Sequence, residues 1–299
     1  MPILDLVGKT PVIKLSRIVR EGIAEIYVKL EYLNPTGSHK DRIALYMIRD
    51  AEAKGLIKPG DVIVESSSGN TAISVAWAAS LLGYEAKIFV EEGTSPMKLK
   101  LIKSLGADLI EMPTNPPNHP ENYVAAAEKY AEEHGYLYLN QYSNEANVRA
   151  HYETTGPEIY EQLSGNIDAF VMGIGTGGTI AGVGRFLREK LGERVKIVGV
   201  VPRNSPIVGG VESDRIEGLA IDIVPEIWKR NKDLIDEIVE VSYRDALETM
   251  KKLIKYEGIL GGLSAGANVY AALKVAEKLG EGVVVTIIPD MVLRYSHLI

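Results

Sequence analysis

The stretch Asn34-Pro35-Thr36-Gly37-Ser38-His39-Lys40-Asp41-Arg42 marks the point where a turn gives way to a helix at a single lysine. Asn34 to Gly37 are turn-forming residues, Ser38 can cap a helix, and apolar residues continue at helical spacing to Ile48. The pattern places Lys40 in the first helical turn, where the helix dipole favours a neutral amine. Such an amine can form a Schiff base with an aldehyde, although most first-turn lysines are simply solvated.

The composition limits the kinds of partner. Of 299 residues, 46% are hydrophobic and 24% are charged, as in ordinary globular proteins. The net charge of −7 provides no basic surface, so we expect neither nucleic acid nor a membrane as a partner. The chain has no cysteine, which excludes thiolate metal sites, and we expect no metal. Cysteine usage and the lack of a signal-peptide pattern favour a cytoplasmic location.

Short apolar runs alternate with amphipathic helical stretches along the chain. This alternation predicts an α/β fold with mainly parallel sheets and helices on both faces. A segment rich in proline, 113–120, is predicted to be a loop. The predicted strands are 26–30, 61–65, 86–90, 108–111, 136–139, 169–172 and 196–201.

A glycine-rich loop follows the strand at 169–172. It reads Gly173-Ile174-Gly175-Thr176-Gly177-Gly178-Thr179 and runs into a helix over 180–191. Glycines allow successive backbone N–H groups to turn inward at a helix N-terminus, and such a nest binds phosphate without a cationic side chain. The loop therefore predicts a phosphate site, with a plain strand-to-helix turn as the alternative.

Two other nucleotide motifs are weaker fits to this loop. Gly173, Gly175 and Gly178 match G-x-G-x-x-G, which would suit a dinucleotide-binding oxidoreductase. The next strand ends in Pro202-Arg203 where that motif needs an acid, although Arg203 could bind the 2′-phosphate of NADP. A Walker-type loop would need lysine and a hydroxyl residue after Gly178, and the chain has Thr179 and Ile180.

A helix-start lysine, a turn rich in hydroxyl groups at 66–71 and a one-phosphate nest together suit pyridoxal 5′-phosphate. The lysine would bond the cofactor's aldehyde, and a hydrogen-bonding side chain would face its ring hydroxyl. Ser264, at the start of a helix after Gly261-Gly262-Leu263, could face the pyridine nitrogen, with an ordinary N-cap as the alternative. A serine there leaves the nitrogen neutral, which favours β-elimination and β-replacement over transamination.

Seven segments in order resemble the pyridoxal-phosphate enzymes of the tryptophan synthase β-chain fold, and within them cysteine synthase and cystathionine β-synthase. These segments are 8–12, 31–42, 66–71, 140–144, 154–159, 175–179 and 257–266. The resemblance implies that Lys40 holds the cofactor and takes the substrate α-proton. It also implies a cofactor site formed by Lys40, Asn70, Gly175, Thr176, Gly177, Gly178, Thr179 and Ser264. The implied substrate-binding residues are Ser67, Ser68, Asn70, Thr71, Gln141 and Gly218.

The resemblance further implies two α/β domains with the active site in the cleft between them. A smaller mobile domain would span 36–145 and carry the substrate-carboxylate turn. The larger domain would comprise 1–35 plus 146–299 and carry the phosphate loop and Ser264. The family usually forms homodimers, so a homodimer is expected.

The chain departs from the family pattern at positions that bear on the substrate. Ser67 and Ala72 stand in a turn that commonly reads Pro-Thr-Ser-Gly-Asn-Thr-Gly, and the pattern Gly-Glu-Arg-Tyr-Leu-Ser is missing near residue 295. In the family, enzymes that use O-phosphoserine tend to carry arginine after the Gly-Leu at Gly218, and Ala220 stands there. Arg203, Arg215 or Lys98 could compensate.

These observations favour a pyridoxal-phosphate enzyme that makes cysteine from O-acetylserine and sulfide. Glu217, Asp222 and the triplet 264–266 resemble cystathionine β-synthase instead, which would join serine to a thiol. O-phosphoserine sulfhydrylase and serine or threonine deaminase are further alternatives on the same fold. From another class, an NADP-binding oxidoreductase would use the glycine loop for a dinucleotide.

Overall fold

The chain forms two compact units. The structure is a computed structural model that describes residues 2–298, with side chains for residues 2–295. Unit 1 comprises residues 2–7 and Lys40–Asn147, and unit 2 comprises Gly8–His39 and residues 148–298. The mobile domain over 36–145 remains a prediction.

The strands and helices follow the alternation seen in the sequence. The strands are β1 (Val12–Lys14), β2 (Glu25–Leu30), β3 (Val62–Ser66), β4 (Glu85–Glu91), β5 (Asp108–Met112), β6 (Leu137–Tyr138), β7 (Ala169–Gly173), β8 (Lys196–Pro202), β9 (Glu237–Val241) and β10 (Val283–Ile288). The α-helices are α1 (Lys40–Ala53), α2 (Asn70–Leu82), α3 (Pro96–Ser104), α4 (Tyr123–His134), α5 (Glu145–Ala150), α6 (Gly156–Gln162), α7 (Gly178–Leu191), α8 (Glu226–Asn231), α9 (Tyr243–Lys252) and α10 (Leu263–Leu279). Shorter 3₁₀ helices occupy Ile3–Leu6, Glu31–Leu33, Gly192–Arg194, Pro206–Val208, Lys232–Leu234 and Val292–Leu298, and π-helical turns occupy His151–Thr155 and Leu253–Glu257.

Unit 1 is built on a parallel sheet in the order β5-β4-β3-β6. The chain proceeds from β3 to β4 and β5 towards one edge, and β6 then pairs on the other side of β3. The strand order therefore reverses between β3 and β6. Val64 and Phe89 of this sheet pack against Ala127 and Ala131 of α4.

Unit 2 is built on a sheet in the order β1-β2-β10-β7-β8-β9, in which β1 is antiparallel to β2 and the other pairs are parallel. Here the order reverses between β7 and β10. Every residue of these two strands is buried. Fully buried strands of this kind need cover on both faces of the sheet, which separate clusters around α10 and around α7 provide.

The structure confirms the predicted α/β class, with mostly parallel sheets and surrounding helices. The predicted strands recur with shifts of a few residues at their ends. The sequence also predicts a helix over 152–163. In the structure this segment is divided, because His151–Thr155 forms a π-helical turn before α6. Strands β1, β9 and β10 were not predicted. None of the described helices is both long enough and apolar enough to cross a membrane.

Candidate active site

Lys40 is the first residue of α1, as the sequence predicts, and it is half-buried. Its neighbour Asp41 is fully buried and accepts a hydrogen bond of 2.6 Å at Oδ1 from Ser74 Oγ on α2. Hydrogen bonds to carboxylates are among the stronger ones in proteins. The contact ties the first turn of α1 to α2, so Lys40 projects from a fixed helix end.

The turn between β3 and α2 holds the predicted substrate residues Ser67 and Ser68. Ser67 Oγ accepts the Gly69 N–H at 3.1 Å, and Ser68 Oγ accepts the Glu91 N–H at 2.9 Å, which fastens the turn to the end of β4. Asn70 is the first residue of α2, and Gly69 before it has no side chain with which to cap the helix. The N–H groups of this helix start and the serine hydroxyls provide donors for a carboxylate.

Gln141 lies beyond β6 and joins this turn through Thr71. Thr71 Oγ1 donates to Gln141 Oε1 at 2.6 Å, and Gln141 Nε2 donates to the Ser66 carbonyl at 3.3 Å. Asn147 Nδ2 donates to the Gln141 carbonyl at 2.8 Å, and all four residues are buried. An amide NH₂ group carries two hydrogens, so Nε2 can still donate to a ligand.

Both predicted binding features of unit 1 lie where its strand order reverses. The turn follows β3, and Gln141 follows β6, which pairs with β3 on the opposite side from β4. Open α/β sheets bind ligands in the crevice between the carboxyl ends of two such strands. The topology thus brings together Ser67, Ser68, Asn70, Thr71 and Gln141 at one edge of the sheet.

A buried carboxyl group lies at the base of this turn. Glu65, on β3, is fully buried, and its Oε1 accepts the Ser66 N–H at 2.8 Å. No described residue hydrogen-bonds its Oε2. Burial raises the pKa of Glu65 to about 8, against smaller lowering effects of the Ser66 and Gln141 N–H groups and of the charge on Lys40. The carboxyl group is therefore mostly neutral at pH 7.

The predicted phosphate loop connects β7 to α7 in unit 2. Gly177 has a φ of +86°, a left-handed conformation that favours glycine, and it is the N-cap of α7. The Gly178 N–H donates to Thr176 Oγ1 at 3.3 Å. A Cβ atom built on Gly175 would lie 2.7 Å from the Gly218 carbonyl oxygen. Close backbone approach and an N-cap residue without a side chain fit the nest expected for a phosphate.

Ser264 and Gly218 adjoin this loop within the same unit. A Cβ atom on Gly218 would lie 3.6 Å from Ser264 Cβ, so Gly218 lies between Ser264 and Gly175. Ser264 is the second residue of α10 and Gly262 is the N-cap, which makes the ordinary N-cap interpretation of Ser264 wrong. Its side chain is buried, and among the described residues its Oγ has no hydrogen-bond partner. This hydroxyl fits the role of a partner for a ring nitrogen.

Two buried polar residues that support the phosphate loop were missed at the sequence level. Asn268 Oδ1 accepts the Gly173 N–H at 2.8 Å, and its Nδ2 donates to the Ile287 carbonyl at 2.9 Å, so it joins the ends of β7 and β10. His151 Nε2 lies 3.2 Å from Thr179 Oγ1. Asn268 could have been identified from the sequence, because it is an isolated amide residue in the otherwise apolar first half of α10. No local pattern distinguished His151.

The geometry fits pyridoxal phosphate in each unit taken by itself. Unit 1 provides a helix-start lysine and a turn rich in hydrogen-bond donors, and unit 2 provides a glycine-rich nest next to a serine hydroxyl that no described residue hydrogen-bonds. The roles of the individual residues remain predictions.

Comparisons with known proteins give an independent result. A family model described as pyridoxal-phosphate dependent enzyme matches residues 3–290. A cysteine synthase from Staphylococcus aureus is 42% identical over 297 residues, which cover 98% of this chain and 94% of the relative. A cystathionine beta-synthase from Apis mellifera is also 42% identical, over 98% of this chain and 60% of the relative.

A solved structure shows that the similarity extends to the fold. The crystal structure of an O-ureido-L-serine synthase has a TM-score of 0.92 and is 39% identical, with 98% of this chain and 92% of that chain covered. The named activities of these similar proteins involve different small molecules.

Proposed function

This chain belongs to the pyridoxal-phosphate dependent enzymes, and we propose that it makes L-cysteine and acetate from O-acetylserine and sulfide. Membership decides between the two cofactors that the glycine loop allowed, in favour of pyridoxal phosphate and against a dinucleotide. The cysteine synthase relative, similar over nearly its whole length, supports the reaction type. The choice of O-acetylserine is the finer part of the proposal.

The cofactor, when bound, withdraws electrons from the α-carbon of an amino-acid substrate and so acidifies its α-proton. Lys40 would bond the cofactor aldehyde and then remove the α-proton with its freed amine. The turn at Ser67 and Ser68, with Gln141, would hold the substrate carboxylate and fix the direction of the Cα–H bond towards the amine. Ser264 would accept or donate one neutral hydrogen bond at the ring nitrogen.

The observation that carries the choice of leaving group is the environment of Gly218. This residue adjoins both Gly175 and Ser264, so the loop around it borders the proposed cofactor site. Ala220, two residues on, offers no cation for a leaving phosphate. Arg215 forms an ion pair of 3.5 Å with Asp222, an exposed pair within the same loop. An acetyl ester, which is uncharged in the bound substrate and leaves as acetate, fits this loop better than a phosphate ester.

Cystathionine β-synthase chemistry is the second candidate. The relative from Apis mellifera is as similar in identity as the cysteine synthase, and Glu217 and Asp222 resemble that branch. It would use serine and a larger thiol. This reaction differs from the first candidate in its leaving group, because serine must lose its hydroxyl group, which leaves less readily than acetate.

Steady-state rates with different substrates test the proposal. With sulfide as the nucleophile, we expect kcat/KM for O-acetylserine to exceed that for O-phosphoserine and for serine by about 10²-fold or more. In Ala220→Arg, a cation would stabilise a leaving phosphate, so kcat/KM for O-phosphoserine should rise about tenfold. Faster turnover of serine with homocysteine than of O-acetylserine with sulfide would instead establish the second candidate.

A cytoplasmic location remains a prediction that rests on cysteine usage and the lack of a signal-peptide pattern. A homodimer and closure of the domain over 36–145 when substrate binds remain predictions that rest on the family resemblance. Closure would exclude water from the reacting atoms. Sulfide as the physiological nucleophile belongs with them.

A further inference from the structure

We propose that Glu65 is a positioning residue that must be protonated for the enzyme to bind the carboxylate of its amino-acid substrate. It lies at the carboxyl end of β3, immediately before the turn that contains Ser67 and Ser68. The inference rests on the proposed function through the assignment of that turn to the substrate carboxylate. It concerns a residue that has no part in the mechanism given above.

One oxygen of the Glu65 carboxyl group accepts a hydrogen bond from the start of the turn, and the other accepts none from the described residues. Glu65 Oε1 accepts the Ser66 N–H at 2.8 Å. Its Oε2 is buried and has no hydrogen-bond partner among the described residues. Burying an oxygen atom without a hydrogen-bond donor strongly disfavours the ionised carboxylate. The protonated carboxyl group is much less affected. The buried Oε2 thus favours the neutral acid, and this effect outweighs the Ser66 N–H, which favours the ionised form.

The charged and titratable groups around Glu65 come from several elements. Lys40 of α1 interacts with it electrostatically and favours its ionised form. Tyr138 of β6 and Tyr142 have pKa values raised mainly by burial and further by Glu65. Tyr123 hydrogen-bonds Tyr142. Lys40 is thus the one cation among these described groups.

The protonation state of Glu65 sets the charge beneath the substrate turn. At neutral pH the turn offers hydroxyl and N–H donors above an uncharged acid. Since burial raises the pKa of Glu65 to about 8, the acid ionises as the pH rises through that value. A buried negative charge next to Ser66 then repels the substrate carboxylate and competes for the same donors. Substrate affinity should fall at alkaline pH, and turnover of substrate already bound should not.

The test compares the wild-type holoenzyme with Glu65→Gln, which is neutral at every pH. Between about pH 7.5 and about pH 9, KM for O-acetylserine should rise about fivefold or more in the wild type relative to Glu65→Gln, with kcat changing in parallel in the two proteins. The amino group of the substrate titrates identically for both and cancels. Glu111→Gln, the same change at an exposed position on β5, should follow the wild type.

A second readout does not depend on activity. Infrared spectra of the wild type, assigned with ¹³C-labelled glutamate, should show the carbonyl band of a protonated carboxylic acid at pH 7 that disappears with a midpoint near pH 8. Glu65→Gln should lack that band. If this variant does not fold, the wild-type titration decides alone. A missing band at pH 7, or KM profiles that coincide in wild type and Glu65→Gln, would overturn the inference. Absence of turnover with O-acetylserine would contradict the proposed substrate, and the infrared result would still decide the state of Glu65.

Discussion

Lys40→Ala is expected to reduce kcat by about 10³-fold or more and to abolish covalent attachment of the cofactor. The side chain has two roles in the proposed reaction, as the amine that bonds the aldehyde and as the base for the α-proton. No other described residue at the start of α1 carries an amine. Turnover is measured under saturating pyridoxal phosphate, and attachment by the mass of the borohydride-reduced protein.

Lys54→Ala provides the matched control for this variant. Lys54 follows the last residue of α1, is mostly exposed, and forms an ion pair of 2.7 Å with Asp50. Exposed pairs contribute little to stability, so this variant should keep its activity and its covalent cofactor. Retention of the cofactor bond in Lys40→Ala would refute the assignment of Lys40, whatever the activity.

Gly175→Ala is expected to weaken cofactor binding about tenfold to about a hundredfold. The added Cβ atom would lie 2.7 Å from the Gly218 carbonyl oxygen, which is closer than real Cβ contacts, and that oxygen belongs to backbone that cannot rotate away. Relieving such overlaps typically costs about 1–3 kcal/mol. The loop that should enclose the phosphate must shift, so the apparent dissociation constant of pyridoxal phosphate should rise. Fluorescence titration of the apoenzyme measures it.

Gly192→Ala is a demanding control because it adds a methyl group at the other end of the same helix. Gly192 has a φ of +64°, so alanine is strained there, but a Cβ atom would meet no described atom within 4 Å. The variant should lose some stability and keep its affinity for pyridoxal phosphate. Equal affinity in Gly175→Ala and the wild type would show that this loop does not bind the phosphate.

The fold class and the loop positions followed from local sequence patterns. Apolar runs such as the one in β7 contain enough information to predict a buried parallel strand, and glycines at 173–178 predict the sharp turn after it. The start of α1 at Lys40 followed from turn residues and helical spacing. In these places the residue types constrain the backbone directly.

Other features depend on contacts between segments far apart in sequence. The hydrogen bond between Asn268 and Gly173 joins residues that no local sequence pattern connects. The π-helical turn at His151 packs closely against α7 at Gly182, where a Cβ atom would clash with it. The sequence of β3 is equally compatible with an exposed glutamate. That Glu65 Oε2 is buried and without a partner among the described residues could therefore be recognised only from the structure. Likewise, Ser264 matches an N-cap in sequence, and the structure places Gly262 there.

The absorbance spectrum of the purified holoenzyme, recorded before and after O-acetylserine is added without sulfide, tests the central claim most directly. We predict a visible cofactor band that O-acetylserine shifts, that serine leaves in place, and that returns when sulfide is added as cysteine and acetate appear in equal amounts. A band that responds to serine and not to O-acetylserine, or no visible band even after pyridoxal phosphate is supplied, would contradict the proposed function.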